Sequence, residues 1–327
     1  MILKTLVMIS SIFLWIAAPG VHAADARYPV KPIRFIVPYP PGGGTDTVAR
    51  LVSGPLGERL GQQVVIDNRG GANGIIGTEI AANAAADGYT MLFVVQAGMA
   101  VNPTLYEKLP YDPQRDFSPV VLLDTLALLL VVHPSSSVKT VGDLIQAAKA
   151  KPGELNFSSS GHGGSSHLAG ELLKTMANVE MVHVPFKGGG PANLAVMSGQ
   201  VQLTIGPMVA LLPQVSAGKL RAVAVSTGKR VASLPDVPTI GETLRGYEST
   251  VWQGVVVRRG TPQAAIRTLN EGINETLRLP DIQSRLIHGG MQPAGGTPEE
   301  FAALIKAETV KYARLLKQIG LAGSEKR

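Results

Sequence analysis

A glycine-rich loop between a β-rich run and a helical pattern decides the fold class of this chain. Residues 38–46 read Pro38-Tyr39-Pro40-Pro41-Gly42-Gly43-Gly44-Thr45-Asp46. An apolar run at 33–39 precedes the loop and predicts a strand, and apolar positions at helical spacing follow it over 46–60. Strand, loop and helix in this order are typical of an α/β unit with a parallel sheet.

The same alternation continues along the chain and predicts two α/β lobes. Further strands are expected at 63–67, 89–96, 125–132, 155–159, 182–185, 201–205, 220–226 and 251–257. Further helices are expected at 74–86, 140–148, 165–176 and 190–198. Residues 232–246 indicate a loop, and the last 60 residues indicate helices, one of them opened by a capping box at Thr297-Pro298-Glu299-Glu300. We expect each lobe to be a mainly parallel sheet flanked by helices.

Composition narrows the function classes. The chain has 327 residues, 45% hydrophobic residues, no cysteine and a formal net charge of +6. The absence of cysteine excludes disulfides, thiolate metal sites, a cysteine nucleophile and a lipidated cysteine. No basic run exceeds two adjacent residues and aromatic residues make up 5% of the chain, so we expect no nucleic-acid partner.

The first 23 residues have the pattern of a cleaved signal peptide. Lys4 precedes an apolar run over 6–18, Pro19 and Gly20 break that run, and Val21-His22-Ala23 offers a cleavage site. A membrane anchor is the alternative, but a crossing needs roughly 20 apolar residues. We therefore predict a soluble protein exported to the periplasm, with residues 1–23 removed.

The first loop allows three interpretations. A dinucleotide fingerprint fits Gly42 and Gly44 but finds Thr47 at its third glycine. A phosphate-binding loop needs Gly-Lys followed by Ser or Thr, and neither Gly-Lys pair of the chain continues so. A tight turn capped by Thr45 or Asp46 is compatible with a ligand site, because N–H groups at a helix start attract anions.

Three more glycine-rich loops follow strands. Residues 158–167 (Ser-Ser-Ser-Gly-His-Gly-Gly-Ser-Ser-His) are rich in hydroxyl groups and resemble the oxyanion segment of some esterases, but no Gly-x-Ser-x-Gly elbow accompanies them. Residues 67–74 and 186–191 are weaker examples. In open α/β sheets the carboxyl ends of strands are where ligands bind, so these loops predict a ligand cleft.

No metal, cofactor or catalytic set is predicted. His162 and His167 lie five residues apart without a carboxylate at ligand spacing, and His133, His183 and His288 are isolated in the sequence. No nucleophile, base and acid can be assembled into a catalytic set. We therefore expect a protein that is not an enzyme.

At these loops the chain resembles a known family, the substrate-binding proteins of tripartite tricarboxylate transporters, also called Bordetella uptake gene proteins. The matching segments run in order along the whole chain: Tyr28-Pro29-Val30-Lys31-Pro32-Ile33, residues 38–46, Asp67-Asn68-Arg69, Asp87-Gly88-Tyr89-Thr90, residues 109–113, residues 165–171, Val182-His183-Val184-Pro185-Phe186-Lys187-Gly188, residues 234–239 and residues 295–301.

The resemblance implies a two-lobed, type II-like periplasmic binding protein fold with two crossover strands. Lobe one would combine residues 24–125 with 251–327, and lobe two would span 126–250. The resemblance further implies that backbone amides and hydroxyls hold a small carboxylate in the cleft. The residues carried over are Gly43, Gly44, Thr45 and Asp46 in lobe one, Gly161, His162, Gly163, Ser165 and Ser166 in lobe two, and Tyr39, Gln96, Asn102 and Lys187 at the flanks.

The implied function is capture of a small carboxylate-bearing organic molecule for uptake by a membrane permease of the same transporter type. A monomer that closes by hinge motion is expected. The alternative is an exported ligand sensor or an enzyme on the same scaffold. His162, Gly164 and Ile205-Gly206-Pro207 depart from the family pattern, so the identity of the carboxylate stays open.

Overall fold

The computed structural model describes residues 28–41, 44–186 and 189–325. The predicted signal peptide and two of the predicted binding residues, Gly43 and Lys187, lie outside the described residues. Within the described ranges, no helix combines the length and apolar content that a membrane crossing needs.

Ten strands occur among the described residues. They are β1 Ile33–Val37, β2 Val64–Asn68, β3 Thr90–Val95, β4 Phe117–Val132, β5 Asn156–Ser159, β6 Val182–Pro185, β7 Leu203–Pro207, β8 Arg221–Val225, β9 Thr250–Arg258 and β10 Met291–Gly295.

Twelve α-helices alternate with these strands in the described ranges. They are α1 Gly44–Leu60, α2 Ile75–Ala82, α3 Asn102–Leu105, α4 Pro113–Asp116, α5 Val141–Ala150, α6 Ser165–Ala177, α7 Gly189–Met197, α8 Met208–Ser216, α9 Ile240–Thr243, α10 Gln263–Leu277, α11 Pro280–His288 and α12 Pro298–Gln318. The capping box predicted before α12 is present, with the Thr297 hydroxyl accepting from the Glu300 N–H and the Glu300 carboxylate accepting from the Thr297 N–H.

The sheet runs β2-β1-β3-β9-β4-β7-β5-β6, with β8 and β10 also paired to β4. Up to Ala127, β4 pairs with β9 and β10, and from Leu128 onward it pairs with β7 and β8. We call the part built on β1, β2, β3, β9 and β10 the first lobe and the part built on β5 to β8 the second lobe. The predicted two-lobed α/β fold is confirmed, while the boundaries at 125/126 and 250/251 stay a prediction.

In both lobes, the carboxyl ends of the parallel strands lie at the edge of the sheet that is nearest the other lobe. In the first lobe, β1, β2 and β3 are parallel to one another, and β4 runs in their direction because both β3 and β4 are antiparallel to β9. In the second lobe, β5, β6 and β7 are parallel and run against β4. The carboxyl ends of both parallel sets therefore point toward the junction of the lobes, so the loops that follow them meet there.

Each lobe carries an apolar cluster on both faces of its sheet, as expected for helices on both faces. In the first lobe, α1, α10 and α11 cover one face, where Phe35 and Leu269 are buried, and α12 covers the other, where Trp252 and Phe301 are buried. In the second lobe, α5 and α6 cover one face and α7 and α8 the other. Leu168 of α6 joins a first-lobe cluster, so the lobes are in contact.

Several elements depart from the sequence-based expectations, among them the short helix α9, which lies inside residues 232–246, where a loop was expected. Strand β4 begins at Phe117, well before the apolar run at 125–132, because pairing with β9 satisfies its backbone over the earlier half. Helix α8 went unpredicted because Pro213 and an almost continuous apolar run hide its period. Strand β10 lies in a stretch expected to be helical, and Pro293 is tolerated there because β10 pairs with β4 alone among the described strands.

Ser226 joins two chain segments at the junction of the lobes, one at Leu128 of β4 and one at Ser249 just before β9. Its hydroxyl accepts the Leu128 N–H at 2.9 Å and donates to the Ser249 carbonyl oxygen. Its N–H donates to the Leu128 carbonyl oxygen at 2.9 Å, and the Ser249 N–H donates to its carbonyl oxygen at 3.0 Å. Ser226 is fully buried, and its side chain and backbone hold the segments at Leu128 and Ser249 together.

Asp124 is buried on β4, directly opposite Gln253 of β9. No donor among the described residues lies within hydrogen-bond distance of either carboxylate oxygen, and Gln253 Oε1 is unpartnered in the same way. Burial raises the pKa of Asp124 to about 8. At neutral pH this carboxyl group therefore carries a proton close to the junction of the lobes.

Replacing Ser226 by alanine is expected to lower the free energy of unfolding by about 1–3 kcal/mol, because the Leu128 N–H and the Ser249 carbonyl lose a buried partner. Chemical denaturation at one pH measures the change. Ser53→Ala is the control, since that exposed hydroxyl only donates to the Arg50 carbonyl. Equal stability of the two variants would contradict the role of Ser226.

Replacing Asp124 by asparagine is expected to change how stability depends on pH. In the wild type, the folded state holds the Asp124 proton more tightly than the unfolded chain, so stability is lost as pH rises from the ordinary value of 3.8 through about 8. The slope is at most about 1.4 kcal/mol per pH unit. Asp124→Asn removes this contribution, whereas the exposed control Asp236→Asn does not. If the free energies of unfolding of the wild type and of Asp124→Asn change in parallel from pH 4 to 8, the assignment of the raised pKa to Asp124 is refuted.

Candidate functional site

The start of α6 presents unpaired donors at the edge that faces the first lobe. The first backbone bond of the helix runs from the Leu168 N–H to the Gly164 carbonyl at 3.0 Å, and no side chain caps the helix. No described residue accepts from the N–H groups of Ser165, Ser166 or His167, and the Ser165 and Ser166 hydroxyls also lack partners among the described residues. Aligned peptide dipoles add a partial positive charge at such a helix start, so this edge favours an anion.

The loop ahead of α6, residues 160–164, is held in a conformation that requires glycine. Gly161 and Gly163 have φ of +134° and +69°, in the range that other residues rarely adopt. The Gly161 N–H donates to Ser159 Oγ at 3.1 Å, and the Gly163 N–H donates to His167 Nδ1 at 3.0 Å. These bonds occupy two amides that the resemblance assigns to ligand binding and leave the donors of Ser165 and Ser166 free.

Gly163 also touches the first lobe. A Cβ added at Gly163 would overlap Leu105 Cδ2 of α3. This close approach across the lobe junction needs a residue without a side chain, so the second-lobe loop is fitted against the first lobe.

In the first lobe, Asp46 serves a structural network at the start of α1. It is buried, and its carboxylate accepts from Arg50 Nε at 2.9 Å and Asn68 Nδ2 at 3.0 Å. Asn68 Nδ2 also donates to the Tyr39 carbonyl oxygen at 3.1 Å. The network ties the end of β1 and the start of α1 to the end of β2, which leaves Gly44 and Thr45 as the described groups at the tip of the helix.

Gln96 and Asn102 are also engaged within the first lobe. Gln96 Nε2 contacts the Thr250 carbonyl at 2.8 Å, Glu308 Oε2 at 2.6 Å and the Tyr312 hydroxyl at 3.1 Å. Asn102 is fully buried and its Oδ1 accepts from Asn73 Nδ2 at 3.2 Å. Both amides therefore join elements of the first lobe, and ligand contact by either stays a prediction.

The structure brings together three histidines that the sequence does not connect. One ring nitrogen each of His162, His167 and His183, which we call the histidine cluster, lies within 4.8 Å of the other two. The His167 and His183 rings stack at 3.8 Å between centroids, and His162 meets both edge-on. The sequence signal for His183 is only that it lies on a strand next to the loop.

Ring geometry and hydrogen bonds show that the histidine cluster is not arranged around a metal ion. Ligand lone pairs lie in the ring plane, so the stacked rings of His167 and His183, 15° apart, do not aim at a shared point. His167 Nδ1 already accepts the Gly163 N–H. Burial lowers the pKa of His167 to about 3 and that of His183 to about 4, so both rings are neutral at neutral pH.

Sequence reasoning missed Asn193 as a neighbour of the site. A Cβ at Gly206 would lie 3.8 Å from both Asn193 Oδ1 and Ser166 Oγ, so these three residues line one corner of the second lobe. Gly206 stands out in the sequence because residues 205–207 differ from the family pattern, but no sequence pattern links Gly206 to α7. Parallel pairing of β5 with β7 creates this proximity.

Two joined α/β lobes, each with a helix start at the carboxyl end of a parallel strand that points toward their junction, are typical of a solute-binding protein of the periplasmic type. The family described as "Tripartite tricarboxylate transporter family receptor" matches residues 48–321. That match covers most of the chain, so this protein belongs to the tripartite tricarboxylate transporter receptor family, as the sequence motifs predicted.

Individual relatives agree with this assignment. The protein BugT of Bordetella pertussis is 36% identical, over 96% of this chain and 97% of its own. The structure titled "R. palustris Rpa4515 with adipate" is 37% identical with a TM-score of 0.78, over 90% of this chain and 99% of that chain. MatC (Rpa3494) from Rhodopseudomonas palustris with bound malate is 31% identical with a TM-score of 0.74, over 88% and 100%.

Replacing Gly163 by alanine is expected to destabilise the contact between the lobes. The positive φ alone costs about 1–2 kcal/mol, and the overlap with Leu105 adds about 1–3 kcal/mol. Gly199→Ala is the matched control, because Gly199 has φ +75° and open space around it. Denaturation of both variants measures the difference, and equal losses would show that the Leu105 contact is not tight.

Proposed function

We propose that this protein binds a small organic carboxylate between its two lobes and delivers it to a membrane permease. The observation that carries the proposal is the start of α6, where the N–H groups and hydroxyls of Ser165 and Ser166 lack partners among the described residues. The start of α1, with Thr45, would hold the same molecule from the other side. A carboxylate accepts such bonds with both oxygens, so it satisfies donors that are otherwise left to water.

The charge pattern around the site supports an anion held by neutral donors. The two imidazoles behind the loop are neutral, because burial lowers the pKa of His167 and of His183. Behind α6, Lys174 is paired with Glu171 at 2.9 Å. Among the described residues of the second lobe, the helix dipole, backbone amides and hydroxyls are thus the groups that favour a carboxylate.

The ligands bound to two related structures support the same ligand class. Adipate and malate, bound to relatives, are small aliphatic dicarboxylates. In this chain, Gly206 brings no side chain to the corner shared with Asn193 and Ser166. We therefore favour a dicarboxylate whose distal end occupies that corner.

Binding without catalysis fits the site. Ser159 Oγ lies 2.6 Å from His183 Nε2, which is the contact of a serine nucleophile with its base. Ser159 is fully buried, however, and its hydroxyl is engaged with Gly161 on both sides. A substrate carbonyl cannot reach it, so the contact serves to hold the loop.

The remaining parts of the proposal follow from the family. A receptor that delivers its ligand to a permease works outside the cytoplasm, which agrees with a cleaved signal at 1–23. We propose that it acts as a periplasmic monomer that closes on its ligand by rotation about the hinge at Ser226. Ligand sensing without transport is the alternative on the same scaffold, and a binding assay alone does not separate the two.

A ligand panel tests the binding function. We expect at least one of adipate, malate and related mono-, di- and tricarboxylates to raise the melting temperature, because a ligand that binds the folded state stabilises it. Matched amides of the same acids, which lack the charge, are the control. If no acid shifts the melting temperature and native mass spectrometry finds no bound anion, the proposal fails.

Side-chain variants then test the site. Thr45→Ala and Ser165→Ala are each expected to lower the affinity for the acid that binds best by about 5- to 30-fold. This corresponds to about 1–2 kcal/mol for each lost charge-assisted hydrogen bond. Ser198→Ala, in the turn directly after α7, is expected to bind like the wild type. Isothermal titration measures the affinities, and wild-type affinity in both site variants would remove these residues from the site.

A further inference from the structure

We infer that His167 is a positioning residue: its Nδ1 accepts the Gly163 N–H and thereby holds the second-lobe loop in its ligand-ready conformation. The inference rests on the proposed function only in that this loop is taken as one wall of the ligand site. The hydrogen bond and the order of the loop can be measured without any ligand.

The position of His167 in the helix explains how one side chain controls the loop. Gly164 is the N-cap of α6, so His167 is the third helical residue, the place from which a side chain can reach back to the chain before the helix. Its Nδ1 lies 3.0 Å from the Gly163 nitrogen. This hydrogen bond from Gly163 to His167 holds residues 160–164 in a tight turn that leads into α6.

The Gly163 N–H needs this partner because both groups are buried. Gly163 is buried against Leu105, and His167 is only 3% exposed. A buried backbone N–H without an acceptor costs about 1–3 kcal/mol. Loss of the imidazole would therefore leave this N–H without its acceptor and release Gly163 from its conformation at φ +69°.

The hydrogen bond also fixes the protonation state of the ring. Because the backbone N–H can only donate, Nδ1 must be unprotonated, and the single proton of the neutral ring is on Nε2. Nε2 lies 3.9 Å from Glu171 Oε1, whose partner is Lys174. A second proton on the ring would break the bond to Gly163.

The groups around His167 keep the ring neutral. His183 of β6 stacks on one face, Phe157 of β5 packs at 6.4 Å, and His162 of the loop meets the ring edge-on. Glu171 and Lys174 of α6 are the charged groups nearby, and they pair with each other. Burial is the first cause of the lowered pKa, followed by His183, His162 and Lys174. The loop is therefore expected to keep its conformation from pH 5 to pH 8.

Two amide variants separate the hydrogen bond from simple packing. The Oδ1 of asparagine can take the place of Nδ1, whereas the amide of glutamine reaches the place of Nε2. His167→Asn therefore keeps an acceptor for the Gly163 N–H, and His167→Gln and His167→Ala lose it. A merely space-filling role would favour the larger glutamine.

The decisive experiment follows amide hydrogen exchange at Gly163 in the full chain, by NMR with glycine-selective labelling and without added ligand. We expect exchange at Gly163 to rise at least 10-fold in His167→Ala and His167→Gln and to stay within about 3-fold of wild type in His167→Asn. The Gly199 amide, which donates to the Val196 carbonyl in the same lobe, reports any general loosening. After correction for intrinsic exchange, wild-type protection at Gly163 should not change between pH 5 and 8.

The outcomes are distinct for the inference and for the proposed function. Unchanged exchange at Gly163 in His167→Ala, or equal exchange in the asparagine and glutamine variants, overturns the positioning role. Titration with adipate and malate then adds the functional readout, with a loss of about 10-fold expected in the glutamine variant and recovery in the asparagine variant. If neither acid binds the wild type, the panel acid that binds best replaces them; if no acid of the panel binds, the ligand assignment fails while the exchange result still decides the role of His167.

Discussion

One strand, β4, sets the relation between all other elements of the protein. It is 16 residues long, and its backbone hydrogen bonds serve β9 and β10 in the first lobe and β7 and β8 in the second. The parallel strands of the first lobe run in the direction of β4, and those of the second lobe run against it. Both sets therefore end at the junction of the lobes. The proposed ligand cleft lies at this junction, and Ser226 fastens the segment at Ser249 to β4.

The junction assembled in this way has a particular electrostatic character. Its second-lobe wall is made of backbone amides and hydroxyls, and the imidazoles behind that wall are neutral because burial lowers the pKa of His167 and His183. The charged side chains nearby are paired, as in Lys174 with Glu171 and Arg50 with Asp46. An anion between the lobes would thus meet oriented dipoles, which cost little reorganisation when the lobes close.

Much of the fold and part of the site could be predicted from the sequence. Strands such as β6 and helices such as α6 have clear apolar periods and clear ends, so their bounds were predicted within one residue. Helix α8 and strand β10 could not be predicted, because their conformation depends on packing against β4 and its neighbours rather than on their own pattern. The glycine-rich loops indicated where the backbone adopts positive φ, as at Gly161 and Gly163, because glycine accepts this conformation readily.

The individual roles within the site needed the tertiary structure. Asp46 has the sequence position of a ligand contact, yet its carboxylate is used by Asn68 and Arg50. His183 has no sequence relation to His167, yet the parallel pairing of β5 with β6 stacks their rings. Such contacts join residues that are far apart in the chain, so they cannot be predicted from local sequence propensity.

By itself the sequence determined the α/β class, the family and the glycine-rich loops at the ends of strands, because periodicity, capping and backbone freedom are local properties. Only the tertiary structure decided which strand ends meet at the junction, which amides of α6 lack partners among the described residues and which histidine accepts the Gly163 N–H. The physical reason is that these depend on strand direction and on burial. Both arise only when β4 brings the two lobes together.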